Sequence, residues 1–320
     1  MGSHNHKYSI IIPHRNRFAL LVQLLSTIPK RKDIEILVID DASDGSTKEK
    51  LLILEAETPQ LTILYNHDKD PKGAGWGRNQ GIFHASGKYL IFADSDDFFS
   101  QEAFTEFDAV TRNKYDFVVF KTRSITAKGQ KSGRTNFLNF LIEEAANIQE
   151  NEPVSTKKIL TKIDAPWAKL ISKSLIVDHN IEFEEIHYSN DVLFNLQVLI
   201  HAKHINVSRS IVYVVLDHDS SLIKERNEDM LDQRFDACIR FNNVLATQEF
   251  SKNAHSITAG YILNAKEYSW LKMLSFIRKT AKSKAKLMYP LHRYFIAFIM
   301  KLVGADPLKI RFYVVFGEKV

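Results

Sequence analysis

Short apolar runs alternate along the first part of the chain with longer stretches in which apolar positions recur every three or four residues. Tyr8 to Pro13, Ile34 to Ile39, Leu61 to Tyr65, Tyr89 to Ala93 and Phe117 to Phe120 read as strands, the first closed by its proline. Between them, Arg17 to Ile28 carries Leu20, Leu21, Leu24, Leu25 and Ile28 at helical spacing. Ser46-Thr47-Lys48-Glu49 fits a capping box opening a second helix. Helices over Ala74 to Ala85 and Gln101 to Thr111 complete the pattern. Strands and helices alternating at this spacing predict an α/β fold, with a mostly parallel central sheet and helices on both faces. Ligands of such open sheets sit outside the carboxyl ends of the strands. Pro13-His14-Arg15-Asn16, Asp40-Asp41 and Asp94-Ser95-Asp96 all fall at those ends.

Residues 121–135, with Gly129 and Gly133, read as a mobile loop. Phe137 to Ala146 and Ser189 to Ala202 are helical in pattern, Ile205 to Val207 and Ile211 to Leu216 resemble two strands, and from Asp229 the chain turns helical through Met300. The 320 residues are 45% apolar and 25% charged, ordinary values for a globular chain, and suit one main domain with an appendage. The single Cys238 rules out an internal disulfide and points to a reducing, cytoplasmic setting. Met1 to Lys7 has no apolar segment and reads as tag-like or disordered, and no stretch reaches the ~18 apolar residues of a membrane span.

The chemistry gathers where the run Tyr89 to Ala93 ends in Asp94-Ser95-Asp96-Asp97. Asp94 and Asp96 share a face of an extended chain. Carboxylates crowded in this way have raised pKa values unless a cation sits among them. A hard divalent ion, Mg or Mn, is the natural cation and leaves coordination sites for substrate phosphates. The glycine run Gly73-Ala74-Gly75-Trp76-Gly77 lacks the preceding strand of a dinucleotide fingerprint. It reads instead as a flexible turn feeding a helix that brings Arg78 and Asn79 toward a diphosphate, against the alternative of a solvent-exposed arginine.

Taken together and in order, Ser9 to Pro13, Ile36 to Ser46, Gly77-Arg78-Asn79-Gln80-Gly81 and Asp94 to Asp97 resemble the family 2 glycosyltransferases. The resemblance implies the GT-A nucleotide-sugar-binding fold, an inverting transfer and a nucleotide-sugar donor, UDP-linked by expectation. It implies a catalytic domain over residues 8–220 (a nucleotide-binding half, 8–120, and an acceptor half, 121–220) followed by a helical basic region, 221–320. By position, Pro13, His14, Arg15 and Asn16, with Asp40 and Asp41, would hold the base. Arg78 would lie against base and diphosphate, Asp94 with Ser95 would meet the ribose side, and Asp96 would ligate the metal. His14-Arg15 departs from the pair usual in the family.

Further along, Ala165 to Leu175 resembles the family's acceptor-side tryptophan segment, with Trp167 either stacking on a sugar or packing in the core. Tyr188 to Phe194 resembles its catalytic motif, with Asn190 where Glu is usual and Asp191 retained. Asp191 suits the base that takes a proton from the attacking hydroxyl. It would equally suit a helix cap. His218 stands where some relatives place a phosphate- or metal-contacting residue. Between Lys266 and Arg293 eight basic residues face the single acid Glu267, with aromatics interleaved. That composition suits an anionic membrane surface, or else a helical cap with a solvated basic face. Nucleic acid fits less well, because no recognition motif appears and the charge is confined to this tail. The expected acceptor is a glycan or lipid-linked saccharide. A nucleotidyltransferase would want a glycine-rich loop after the first strand, which His14-Arg15-Asn16-Arg17 does not supply. A non-catalytic sugar-nucleotide-binding scaffold is the reading that Asn190 favours.

Overall fold

The structure, a computed structural model, describes residues 6–217, 227–252 and 254–317. Four apolar runs become the parallel strands β1 (Tyr8–His14), β2 (Ile34–Asp40), β3 (Leu61–Tyr65) and β4 (Tyr89–Phe92), in spatial order β3-β2-β1-β4. The sheet continues through β7 (Lys169–Ser172), antiparallel to both β4 and β6 (Phe117–Thr126). β6 runs parallel to β8 (Ile205–Asp217), and β5 (Phe98–Phe99) closes the far edge antiparallel to β8. Four parallel and three antiparallel pairings thus make one 8-stranded sheet.

Period-two alternation on β1 explains the layers. Ile10 and Ile12 pack in one core cluster with Leu21 and Leu24 of α1 (Phe18–Ser26) and Phe107 of α4 (Ala103–Thr111). Ile11 points to the other face, toward α3 (Ala74–His84), so closely that a Cβ on Gly81 would stand 2.3 Å from its side chain. Helices on both faces follow. The parallel arrangement sends the carboxyl ends of β1, β2 and β4 to one edge of the sheet.

Several local expectations change. α2 (Gly45–Glu57) is capped by Asp44, whose carboxylate accepts from the Thr47 amide at 2.8 Å, so Ser46 lies inside the helix. Residues 121–126 are not loop: β6 runs on through them, paired with β8, with a turn following. Two of them, Thr122 and Ser124, misled because they are polar yet buried, with partners inside the protein. Asn139, for instance, exchanges hydrogen bonds with the Thr122 main chain at 2.9 and 2.6 Å. The two strands expected over 205–216 are one, and a register shift opposite Phe120 and Lys121 absorbs the polar interruption Ser208-Arg209-Ser210. Lys7 is not a loose tail residue; its ammonium pairs with Asp108 at 2.5 Å.

The chain divides into two compact units, Met1–Asn139 with Ala165–Asp219, and Phe140–Asp164 with Ser220–Val320. The first carries the sheet, together with α7 (Lys173–Asp178) and α8 (Val192–His201). The second includes α6 (Pro153–Leu160), α9 (Glu228–Leu245), a 3-10 turn, α10 (Ala259–Tyr268), α11 (Trp270–Lys282), α12 (Leu291–Leu302) and α13 (Pro307–Phe316). α5 (Asn136–Ile148) straddles the division. Phe235 and Phe276 stack at 3.7 Å in the second unit's core, and Lys272 and Lys279 of α11 pair with Glu228, Asp232 and Asp236 of α9. Among the described residues no helix is long and apolar enough to cross a membrane.

Candidate active site

The end of β1 is locked to the end of β2. His14 and Asp40 are fully buried, with Nδ1 and Oδ1 at 3.0 Å. The Arg17 amide donates to His14 Nε2, so Nε2 is the unprotonated nitrogen and Nδ1 carries the proton toward Asp40. Burial pushes the Asp40 carboxyl up, but donors from His14, the Ser43 hydroxyl and the Ser43 amide outweigh it and hold the group below its ordinary value. Asp41 accepts from Asn66 Nδ2 and from the Lys72 and Gly73 amides at 2.7–2.9 Å, fastening the segment that leads into α3. Of the segment Pro13 to Asn16, Arg15 and Asn16 are exposed and Pro13 half-buried, whereas His14 faces inward as their support.

α3 then carries the central group. Its glycines are not a flexible turn. A Cβ on Gly75 would lie 2.1 Å from the Glu184 carbonyl and 3.1 Å from Asn190, and one on Gly77 would crowd Pro13. Glycine at these positions lets the helix seat against β1 and against the segment before α8, which sets Arg78 in place. Arg78 is buried, not solvent-exposed. Its Nη2 donates to Asp94 Oδ1 at 2.7 Å and its Nη1 to Asn190 Oδ1 at 2.8 Å. One guanidinium therefore joins the acidic strand end to the motif that opens α8.

Around Asp94 the other carboxylates divide. Asp96 is held by Arg17 Nη1. Asp97 is buried and accepts from the Leu216 amide at 2.8 Å. Burial, with Asp94 and Asp96 nearby, pushes Asp97 well above the ordinary carboxylate range. Asp94 is raised too, by loss of solvent first, with Arg78 pulling the other way. Tyr213, wholly buried, accepts from the Asp94 amide at 2.8 Å and hydrogen-bonds Asp97. Trp167 stacks on the Tyr213 ring at 5.5 Å and 12° and packs against the core cluster. It is half-buried there. Ser95 is buried between the two acids. The donor set fits a hard divalent ion: two half-buried carboxylates close together, with the Asp96 charge adding to the loss of solvent that raises Asp94. Among the described residues no three His, Cys, Asp or Glu groups form a metal cage by themselves. One or two carboxylates completed by substrate phosphates is how Mg is commonly held.

Asp191 occupies the N-cap position of α8, half-buried; its side chain makes no capping hydrogen bond, and its carbonyl accepts from the Asn195 main chain and side chain. Asn190 faces inward to Arg78. His218 lies outside the described residues. Arg17 and Tyr213 escaped sequence reasoning. The expectation that crowded acids need a cation was a signal for Arg17, but nothing local points from residue 96 back to residue 17. Tyr213 sits in an apolar strand where an aromatic reads as core.

These residues gather at the carboxyl edge of a GT-A sheet. The chain belongs to the family described as Glycosyl transferase family 2, whose model matches residues 9–177. It is 25% identical over 208 residues to the poly(ribitol-phosphate) beta-N-acetylglucosaminyltransferase TarS of Staphylococcus aureus, covering 63% of this chain and 34% of TarS. It is 26% identical over 197 residues to the GalNAc(5)-diNAcBac-PP-undecaprenol beta-1,3-glucosyltransferase of Campylobacter jejuni, covering 58% of this chain and 57% of that protein. The chain thus spans about a third of TarS and just over half of the Campylobacter enzyme. A crystal structure of TarS residues 1–349 with UDP-GlcNAc matches with a TM-score of 0.60 at 18% identity, over 82% of this chain and 73% of that one. This last likeness is one of fold.

Proposed function

We propose that this chain is a metal-dependent inverting glycosyltransferase. It moves a sugar from a nucleotide-diphosphate donor, UDP-linked in this reading, to a hydroxyl of a glycan or lipid-linked saccharide during polysaccharide synthesis. The observation that carries the reading is Arg78, which ties Asp94 to Asn190 and so brings two motifs, far apart in sequence, to one point. The names of the two relatives support the acceptor class, and the UDP-GlcNAc bound in the TarS structure supports a UDP-linked donor.

Arg15, Asn16 and Asp41 line the base, with the His14–Asp40 pair as support behind them. Arg78 steadies Asp94 on the ribose side. Asp96, with Asp94 beside it, would hold a Mn or Mg ion, which supplies positive charge against the diphosphate. Asp191 takes the proton of the acceptor hydroxyl as its oxygen bonds to the anomeric carbon, while the bond from that carbon to the diphosphate oxygen breaks. A single displacement of this kind inverts the anomeric centre. Trp167 and Asn190 are assigned to the acceptor side in this reading; Asn190 acts there through Arg78.

The test is a screen of UDP- and GDP-sugars with Mn for donor hydrolysis and transfer, run beside Asp191→Asn. Wild type should turn over a UDP-sugar. The variant should lose at least ~100-fold in rate, since a general base contributes about 10²–10⁴, while binding UDP as before. Wild type that binds UDP yet turns over no donor would make the chain a scaffold, the reading suggested by Asn190 in place of Glu.

A further inference from the structure

α12 is built inside out. The residues it buries are Arg293 and Ala297. Leu291, Tyr294, Phe295, Phe298, Ile299 and Leu302, spaced at three and four residues, are all exposed. Leu291, Phe295 and Leu302 are 71%, 67% and 66% exposed. This orientation is held from within: Arg293 Nη1 donates to the carbonyls of Val315 and Val314 at 2.9 and 3.4 Å, near the C-terminus of α13, where a cation meets the negative end of the helix dipole. Rotating α12 to hide its aromatics would break that contact. α11 repeats the theme, with Leu271 80% exposed and Leu274 and Ile277 exposed beside its buried Phe276.

We propose that the outward face of α12, with the exposed basic residues that precede and follow it in the chain, docks on an anionic phospholipid surface. Charge selects this occupant. From Tyr268 to Gly317 the sequence has ten Lys and Arg against the single acid Asp306. Lys272 and Lys279 are engaged with acids of α9, whereas Arg278, Lys282, Lys284, Lys286 and Lys301 are exposed. A second copy of this chain would set like charge against like across a self-complementary contact. An anionic bilayer answers both features at once: its surface potential attracts each nearby Lys or Arg, and the aromatic stripe enters the boundary between headgroups and acyl chains. At 12 residues α12 is about 18 Å long, too short for a hydrocarbon core of about 30 Å, so it lies in the plane of the interface.

The test is co-sedimentation of the full chain with vesicles of phosphatidylglycerol and phosphatidylcholine, against phosphatidylcholine alone, at low and high salt. Wild type should bind the anionic vesicles at low salt. Phe295→Ser with Phe298→Ser should weaken that binding at least tenfold, and Lys282→Glu with Lys284→Glu several-fold with the stripe intact. Circular dichroism should find both variants folded; if the first is not, the charge variant decides. Equal binding to both vesicle types, no binding to either, or a dimer in sedimentation velocity that the phenylalanine variant dissolves would each overturn the proposal. None of these readouts depends on the sugar-transfer reading.

Discussion

Two regions of this molecule handle charge and apolar surface in opposite ways. At the carboxyl edge of the sheet, charged groups are drawn in and tied together. Asp40 meets His14, Asp94 meets Arg78, and Asp97 meets the Leu216 amide and Tyr213. In the second unit, α12 draws in one arginine and turns its aromatics outward. Burying a charge is costly unless partners surround it, so the first arrangement is specified almost atom by atom. Leaving apolar side chains in water forgoes roughly 25 cal/mol per Å² of burial, so the second arrangement points to something outside the chain that covers them. In the proposed reading, one region serves a small polar ligand and the other an apolar boundary.

The sharpest way to break this contrast is to remove the group on which the first region depends. Arg78→Met takes the donors from Asp94 and from the Asn190 amide oxygen together. It should cost about 2–3 kcal/mol in chemical denaturation, as for hydrogen bonds to charged groups, and at least ~100-fold in transfer. Vesicle binding should be untouched. Gly75→Ala comes next: its Cβ has only 2.1 Å to the Glu184 carbonyl, so the segment before α8 must shift. Overpacking of this kind costs about 1–3 kcal/mol, and transfer should fall although no chemical group is lost. A wild-type rate in Gly75→Ala would mean that the seating of α3 does not position the site.

The smallest effect sharpens the electrostatic half of the comparison. Asp97 is raised in the folded state, so its contribution to stability is fully present below the ordinary carboxylate pKa and is lost as pH climbs toward the raised value. Asp97→Asn should therefore melt like wild type near pH 4 and above it near pH 7. Asp108 has the opposite sign. Burial pushes it up, but bonds from Arg31, Lys7 and Tyr8 prevail and lower it, so its contribution is present above the ordinary pKa and lost as pH falls. Asp108→Asn should be destabilising at pH 7 and less so in acid. Thermal melts at two pH values read both.

The difference between the regions also explains what could be read beforehand. β1 to β4 were legible because their runs are mostly apolar and buried; the ordered motifs identified Arg78, Asp94 and Asp191 as candidates. The continuation of β6 was hidden because Thr122 and Ser124 are polar residues whose partners, Asn139 and Ser132, come later in the chain. Pairings such as Arg17 with Asp96 depend on the fold bringing distant residues together, which local pattern does not encode. For α12 the periodicity was visible, but which side faces solvent depends on the buried Arg293.

The central claim is that the acids after β4 bind a nucleotide diphosphate through a divalent ion. A crystal soaked with UDP and manganese chloride, measured at the manganese absorption edge, tests it directly. The account predicts an anomalous peak bonded to Asp96 with the two phosphates beside it and Arg78 still on Asp94. UDP bound elsewhere, or bound here with Asp96 still on Arg17 and no peak, would contradict it.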